Sequence, residues 1–483
     1  MQQNLELKKK LIKITDNIYE IPKEGNMRVP GRIFANKEIL ETIDETSLNQ
    51  VRNVATLPGI QKYAIACPDA HMGYGFSIGG VAAFDAETGI ISPGGIGFDI
   101  NCGVRLLTTP LKREDVEKKI NELLDVMFAL VPCGVGKGGI LPVDLVELDE
   151  VCEQGVSWAV KKGYGSKEDI ENCESNGCIP KADASKISES AKARGKGQLG
   201  SLGAGNHFME IQFVDKIFDK KTADAFNIKE EGQVVVMIHC GSRGLGHQVC
   251  SDYIRKMEKA NPEMMKSLPD RDLVYADINS QLAKDYLGAM NASANFAFVN
   301  RHLIACKIRE AFKRVFNTNI EDIKLVYDVC HNIAKLEDHN IDGKMKKVWV
   351  HRKGATRSFP PGSSELSEKY KKTGQPVLIP GSMGTASYVL VGTKDAFDLS
   401  FGSTAHGAGR VMSRTAATRE FKAEEITEQL RKRNIIVKAR SWKGIVEEAP
   451  QAYKDVDAVV KVSHDAGIGN LVVRVRPIGV VKG

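Results

Sequence analysis

The chain has 483 residues, 42% of them hydrophobic, with a formal net charge of +6, ten cysteines and 45 glycines. That charge excludes a histone-like polyelectrolyte while leaving room for a local basic groove, and ten cysteines in so long a chain fall far below the density of a disulfide scaffold. No apolar run approaches the roughly 18 residues that a membrane span needs, and residues 1–16 alternate lysines with single apolar residues, so we expect a cytoplasmic protein with reduced thiols, no signal peptide and no membrane partner.

Residues 1–50 read as a polar opening segment with short elements. Residues 64–67, 79–84 and 104–108 are short apolar runs separated by Gly, Pro and Asp turns, which predicts strands of one sheet. From 112 to 130, Val116, Ile120, Leu123, Leu124 and Met127 form a helical stripe. The following G-V-G-K-G-G, residues 134–139, imitates a phosphate-binding loop but lacks the first glycine at the required spacing and the Ser or Thr after Lys137, so no nucleotide site is assigned to it. Residues 145–195 predict helices joined by a polar, lysine-bearing connection, and 251–317 predict three more, including a long one from Asn295 to Val315. Further strands are predicted at 207–214, 233–239, 324–330, 346–351, 376–379 and 387–391. No Pro/Ser/Gly-rich linker, charge block or internal repeat divides the chain. The expected fold class is α/β, as one large unit over residues 1–483.

The chemistry centres on residues 92–105, S-P-G-G-I-G-F-D-I-N-C-G-V-R. Three glycines and a proline in its first half predict a loop running into the strand near Val104. It ends with Asp99 and Cys102, a carboxylate and a thiol three residues apart, a mixture that borderline divalent metals accept. Four histidines stand at or just after predicted strand ends: His71 in P-D-A-H-M-G-Y-G, His207 in G-A-G-N-H-F-M-E, His239 in V-V-V-M-I-H-C-G-S-R and His331 in Y-D-V-C-H-N. A strand end fixes an imidazole while the loop beyond leaves a coordination position open. Any one of them could be a satisfied structural histidine, but four out of ten in the chain point to a site. Asp99, Cys102, His207, His239 and His331 are one ligand too many for a closed tetrahedron, so we expect two metals sharing the cysteine. Asp69 and Asp328 are candidates to orient ligands from behind, although Asp328 reads equally as a strand-end turn residue.

A second constellation is residues 401–414, F-G-S-T-A-H-G-A-G-R-V-M-S-R. On a helix beginning here, Arg410 and Arg414 would share a face near the N-terminus, an anion site beside His406, whose neutral imidazole is a good nucleophile toward phosphorus. The alternative is a polar helix start with solvated arginines. Loops at 241–248 and 351–357 add Arg243, Arg352, Lys353 and Arg357; with glycine-rich backbone N–H nests they read as a track for a nucleic-acid backbone. Third, strand alternation from residue 206 puts Asn206, Phe208 and Glu210 on one face, an amide, a ring and a carboxylate that could select guanine. The same alternation sends His207 to the opposite face, so metal and base would lie on different sides unless the strand bulges. On spacing alone, a core Phe and a surface Glu are the plainer reading.

Eight long motifs in order resemble the RtcB family of RNA-splicing ligases. They are P-D-A-H-M-G-Y-G-F-S-I-G-G, the 92–105 loop, Q-L-G-S-L-G-A-G-N-H-F-M-E, H-C-G-S-R-G-L-G-H-Q, V-Y-D-V-C-H-N, H-R-K-G-A-T-R, G-S-M-G-T-A-S-Y and S-T-A-H-G-A-G-R, and the likeness runs on to the C-terminal G-V-V-K-G. The resemblance implies an α/β fold peculiar to the family, built around a two-manganese centre. It also implies GTP-dependent joining of RNA 2′,3′-cyclic phosphate or 3′-phosphate ends to 5′-hydroxyl ends. Transferred residue by residue, it makes Asp99, Cys102, His207, His239 and His331 the metal ligands and His406 the histidine that becomes guanylylated. Asn206, Phe208, Glu210, Ser382, Ser387, Ala408, Gly409, Tyr453 and Lys482 become guanylate contacts, and Arg243, Lys353, Arg410 and Arg414 a basic RNA or phosphate groove. Asp69 joins the catalytic set as proton acceptor or as a group that orients another. An archease-type activator is implied as a partner besides RNA. Ser77 stands where family members often carry proline, and Ser463 where a cysteine is common. Without the resemblance, a two-metal phosphoesterase acting on RNA phosphate ends, or a non-catalytic RNA-binding scaffold, would use the same residues. His406 discriminates, because a hydrolase has no need of a nucleotide-bearing histidine.

Overall fold

Strand alternation divides this chain between packed layers. In the strand Gln233–Cys240, Val234, Val236 and Ile238 enter one apolar core while Val235 and Met237 enter another on the opposite face, as period-two geometry requires of a strand covered on both sides. The computed structural model describes residues 6–134, 136 and 138–483; Val135 and Lys137 of the phosphate-loop imitation lie outside the described residues. Among them are two large sheets. One has seven strands, running in space from Ile12–Thr15 through Ile60–His71 and Ile78–Asp85 to Lys344–Lys353 and Asn332–Ile341. The other has eight and carries Lys324–Cys330, Gly103–Lys112, Gln233–Cys240, Phe208–Ile217 and Asn470–Lys482 side by side, all antiparallel. The α/β class is as expected.

The expectation that 64–67, 79–84 and 104–108 share a sheet is corrected: the first two pair in the seven-stranded sheet and the third lies in the eight-stranded one. The 92–102 loop is what separates them. A short helical turn at Pro93–Gly95 takes the chain out of one sheet before it enters the other.

The helical stripe at 112–130 forms two helices, Arg113–Glu117 and Ile120–Leu130. The long helix runs Gln281–Phe316, starting well before Asn295. Ser280 caps it by accepting from the Ala283 amide, and Asn317, left-handed at φ 54°, ends it. Its start was misplaced because residues 288–305 are buried on every side, so no amphipathic stripe marks where the helix begins. Asn332–Ile341 and Asn470–Lys482 are the longest of the strands that were not predicted. No helix among the described residues is long and apolar enough to cross a membrane.

Candidate metal centre and nucleotide cleft

The eight-stranded sheet ends where Gly103, Cys240 and Cys330 pair side by side. The Asp99–Cys102 segment folds over that end as a turn: the Cys102 amide donates to the Asp99 carbonyl at 2.9 Å, and Asn101 takes a left-handed conformation at φ 52°. Buried Asn101 is held there by the Ala294 carbonyl, which accepts from its Nδ2 at 2.6 Å, and by the Arg301 guanidinium on its side-chain oxygen at 3.1 Å. His331, just past its strand, donates its amide to the Cys102 carbonyl at 2.9 Å. His239 sits one residue before the end of its own strand.

Five side chains converge as two triads that share the sulfur: Cys102, His239 and His331; and Asp99, Cys102 and His207. Within each triad the candidate ligand atoms all lie within 4.8 Å of one another. His239 Nε2 stands 3.2 Å from Cys102 Sγ and 3.2 Å from His331 Nε2, while His207 Nε2 is 2.9 Å from Asp99 Oδ2 and 3.5 Å from the sulfur. The outer nitrogens are tied back. His207 Nδ1 meets the Leu202 carbonyl and His239 Nδ1 the Asn206 carbonyl, each at 3.1 Å. A carbonyl partner demands Nδ1–H, which leaves Nε2 as a bare lone pair aimed inward.

The electrostatics fit a cation. Burial, joined by the charges of neighbouring imidazoles and outweighing the Asp99 carboxylate near His239, holds His239 and His331 well below the ordinary imidazole value, in the neutral form that a metal requires. Burial and the Asp99 charge push the Cys102 thiol up to about 12, so a cation replacing the proton is what would leave it a thiolate. Burial opposes charge on Asp99, but its hydrogen bond with His207 and the Arg243 charge outweigh that and hold the carboxyl well below the usual range. Gly241 makes room for this carboxylate, since a Cβ there would stand 2.3 Å from Asp99 Oδ2.

Alternation does send His207 to the face opposite Phe208 and His239, as anticipated; Phe208 pairs with His239 across the strands. No bulge is needed. The centre sits over the strand ends, where the two faces meet.

Across this centre lies His406, its ring 4.8 Å from that of His331. Asp69, fully buried near the end of Ile60–His71, accepts from His406 through Oδ2, at 2.5 Å from Nδ1 and 2.9 Å from the backbone amide. Burial would raise the Asp69 carboxyl, but the His406 charge and hydrogen bonds lower it. Asp69 therefore fixes which nitrogen of His406 keeps its proton, and Nε2 makes no hydrogen bond to any described residue. The predicted helix at 401–414 is corrected: Ser403–Ala405 is a strand, and helix begins only at Arg414. Gly409 explains the bend that follows His406, since at φ 75° a Cβ would meet the Asp69 carbonyl at 2.2 Å.

A cleft of about 750 Å³ joins these groups. Asn206, Phe208, Glu210, Ser382, Ala408 and Gly409 line it together with Tyr453 and Lys482. Ser387 does not; its hydroxyl lies behind the wall, accepting from Gln212 Nε2 at 3.0 Å and the Gly381 amide at 3.1 Å. Glu210 is buried, not a surface residue, and burial raises its carboxyl to about 8 against a hydrogen bond from Gln212 and the Lys482 charge. Arg410 and Arg414 line the cleft without a helix N-terminus beneath both. They converge instead on Glu448, at 3.3 and 3.1 Å, with the Tyr453 hydroxyl on the same carboxylate. Sequence reasoning missed Glu448, which no motif marks.

The proposed basic track is thinner than expected. Arg352 is closed off in a bidentate pair with Glu337 at 2.7 and 2.9 Å, and Arg357 is buried 3.4 Å from Glu174. Neither is available to phosphate. Lys353 lines the cleft, its ammonium on the Tyr74 and Phe76 carbonyls, and burial lowers it to about 7. Arg243 stands behind the centre, 3.4 Å from His207 Nδ1 and 3.3 Å from the Ser201 hydroxyl. His71 lines the cleft outside both ligand triads, its Nδ1 on the Asp69 carbonyl at 2.9 Å. Asp328 is no turn residue. It lies fully buried between Arg105 and Arg301, and Arg301 in turn donates to the carbonyls of Asn101 and Cys240, beside the candidate ligands Cys102 and His239.

Residues 50–483 match the family model described as tRNA-splicing ligase RtcB. A protein of that name from Pyrobaculum aerophilum is 56% identical, over 98% of this chain and 99% of its own length. Namesakes from Thermococcus kodakarensis and Archaeoglobus fulgidus are 53% and 52% identical, covering 96% and 98% of this chain and 97% and 99% of theirs. With a family match over nine-tenths of its length and relatives more than half identical from end to end, the chain belongs to the tRNA-splicing ligase RtcB family.

Proposed function

We propose that the chain, acting as one unit, is a GTP-dependent RNA ligase. It joins a 2′,3′-cyclic phosphate or 3′-phosphate end to a 5′-hydroxyl end, as in tRNA splicing or RNA repair, in the cytoplasm. The observation that carries this reading is the pairing of His406 with Asp69 across from two ligand triads that share Cys102. A phosphoesterase would need the metals; it would not need an imidazole with Nδ1 fixed and Nε2 bare at the mouth of a base-sized pocket.

Asp99, Cys102 and His207 would hold one Mn²⁺ and Cys102, His239 and His331 the other. The mixed O, N and S donor set suits a borderline divalent ion. When bound, the ions supply Lewis-acid stabilisation of phosphate oxygens and an activated water for opening the cyclic phosphate.

The protein's own residues do the rest. His406 Nε2 attacks the α-phosphorus of GTP; the N–P bond forms as the bond to the β-phosphate oxygen breaks and pyrophosphate leaves. The imidazole becomes cationic, and the Asp69 carboxylate on Nδ1–H offsets that charge. An RNA 3′-phosphate oxygen then takes the GMP, breaking N–P, and the 5′-hydroxyl attacks the 3′-phosphorus with GMP as leaving group. Glu210, as a carboxylate, would accept from guanine N1–H and N2–H, while Asn206, Phe208, Ser382, Ala408, Gly409, Tyr453 and Lys482 line the same pocket. We assign Ser387 to holding Gln212, and through it Glu210, in place. Arg410 and Arg414 would meet phosphates at the mouth, with Lys353 on the opposite wall and Arg243 behind His207. An archease-type activator would act on this unit from outside.

Intact mass after incubation with GTP and Mn²⁺ tests the reading. We expect an increase of one GMP, labile to acid and absent from His406→Ala. No adduct, with cyclic-phosphate opening still present, would make the protein a phosphoesterase instead.

A further inference from the structure

The cleft has an aromatic flank that the metal and guanylate assignments leave unused. Tyr74 and Phe98 both line it and both remain only partly buried. Their rings meet edge to face, with centroids 5.4 Å apart at 68°. Phe98 also meets the exposed imidazole of His247, which lies nearly parallel to it at 5.0 Å and 28°. Core rings in this chain are closed off by comparison; Phe84 is 0% and Phe76 2% exposed. Rings left partly in water forgo burial that apolar surface would otherwise gain, and a contiguous group of them marks a binding surface more often than a lone one does. Two exposed large apolar side chains, Met72 at 58% and Val411 at 46%, line the same cleft.

Position and charge identify the occupant. Phe98 immediately precedes Asp99, a ligand residue of the metal centre, so a group stacked on the ring lies within one nucleotide's reach of that centre. His247 lies on the helix Arg243–Ala260, which begins at a cation, Arg243, held against His207 and Ser201. The Lys353 ammonium is bonded to the carbonyl of Tyr74 itself. Flat aromatic surfaces flanked by cations are how proteins hold unpaired nucleotides: the ring takes the base and the cations take the backbone, with little regard to sequence.

We infer that Tyr74, Phe98 and His247 form a stacking platform for the terminal nucleobase of the RNA strand whose 3′-phosphate lies at the Asp99–Cys102 centre. This rests on the ligase reading. A site that must accept an RNA break needs to grip the last base without choosing among the four, and stacking does that.

The test uses the full chain with Mn²⁺, without GTP, and a short single-stranded RNA 3′-phosphate whose terminal base is 2-aminopurine, a fluorophore quenched by stacking. Binding should quench the terminal probe and leave a probe several bases inward bright. Phe98→Leu should remove the quench and weaken binding roughly 5- to 100-fold, Phe98→Trp should restore both, and His247→Ala should lie between. An RNA whose terminal nucleotide is abasic should bind the unaltered protein as weakly as intact RNA binds Phe98→Leu, a comparison that needs no variant to fold. A bright terminal probe in the bound state, or an abasic end bound as tightly as an intact one, would overturn the platform. So would quenching confined to a probe at the 5′-hydroxyl end. GMP adduct formation, followed by mass in the same preparations, reports separately on the ligase reading and on the integrity of Phe98→Leu.

Discussion

Two buried clusters lie next to each other at the end of the eight-stranded sheet and obey opposite rules. In the first, Asp328 sits between Arg105 and Arg301, and every oxygen and most N–H groups find a complementary partner at 2.7–3.1 Å. In the second, His239 Nε2 faces the sulfur of Cys102 and the Nε2 of His331, and His331 Nδ1 has no hydrogen-bond partner among the described residues. Buried polar groups are ordinarily satisfied. A closed cluster therefore reads as scaffold, and a cluster of facing nitrogen and sulfur donors is the arrangement a cation site would need. The two are coupled, because Arg301 ties the Asn101 and Cys240 carbonyls that set where Cys102 and His239 stand.

Substitutions in the two clusters should diverge. The largest effect is expected at the shared ligand: Cys102→Ala should reduce RNA joining below detection while leaving the melting temperature of the metal-free protein almost unchanged, measured by gel assay and calorimetry. Asp328→Ala should do the reverse in the metal-free protein, costing about 3–5 kcal/mol of stability because two guanidiniums lose their buried partner. Equal melting losses for both variants would erase the distinction. Asp69→Asn should slow GMP adduct formation by on the order of 10²-fold or more in quenched-flow mass measurements, since the amide oxygen can still accept from Nδ1 but carries no charge to offset that of the imidazolium. A rate within a factor of three or so of the parent would demote Asp69 to packing.

A smaller effect concerns pH. Glu210 is raised to about 8 in the empty cleft, so guanine, which needs the carboxylate, should displace a proton. GMP affinity should rise by up to about tenfold per pH unit toward pH 8 and then level off, with the slope absent in Glu210→Gln. The sign for folding is opposite. The native state keeps a proton that the unfolded state gives up near 4.5, so the empty protein should lose stability as pH climbs from there to about 8. Smallest of all, Lys347→Ala should change stability by less than about 1 kcal/mol, because its pair with Asp338 is 62% and 58% exposed.

How much was legible follows from the same physics. The five proposed ligand residues and His406 stood out because each sits in a glycine-rich stretch or at a strand end, where few side chains have a purely structural reason to be. The strands at 376–379 and 387–391 were legible from end to end, as short apolar runs between turns. Hidden were the groups that act at a distance in sequence. Nothing in the sequence marks the left-handed turn at Asn101 or its partners Ala294 and Arg301. Arg301 lies in a buried helix stretch with no amphipathic mark, and Glu448 gathers Arg410, Arg414 and Tyr453 from an undistinguished segment. Arg352 and Arg357 were misread as phosphate ligands for the converse reason: a strand arginine gives no sign in sequence of whether a buried carboxylate awaits it.

The central claim is that two cation sites share one sulfur, and Mn²⁺ binding followed by electron paramagnetic resonance tests it most directly. The unaltered protein should bind two ions with a spin-coupled spectrum. His331→Ala and Asp99→Ala should each retain one uncoupled ion, and Cys102→Ala should bind neither tightly. A single uncoupled ion in the unaltered protein, or two coupled ions surviving in Cys102→Ala, would contradict it.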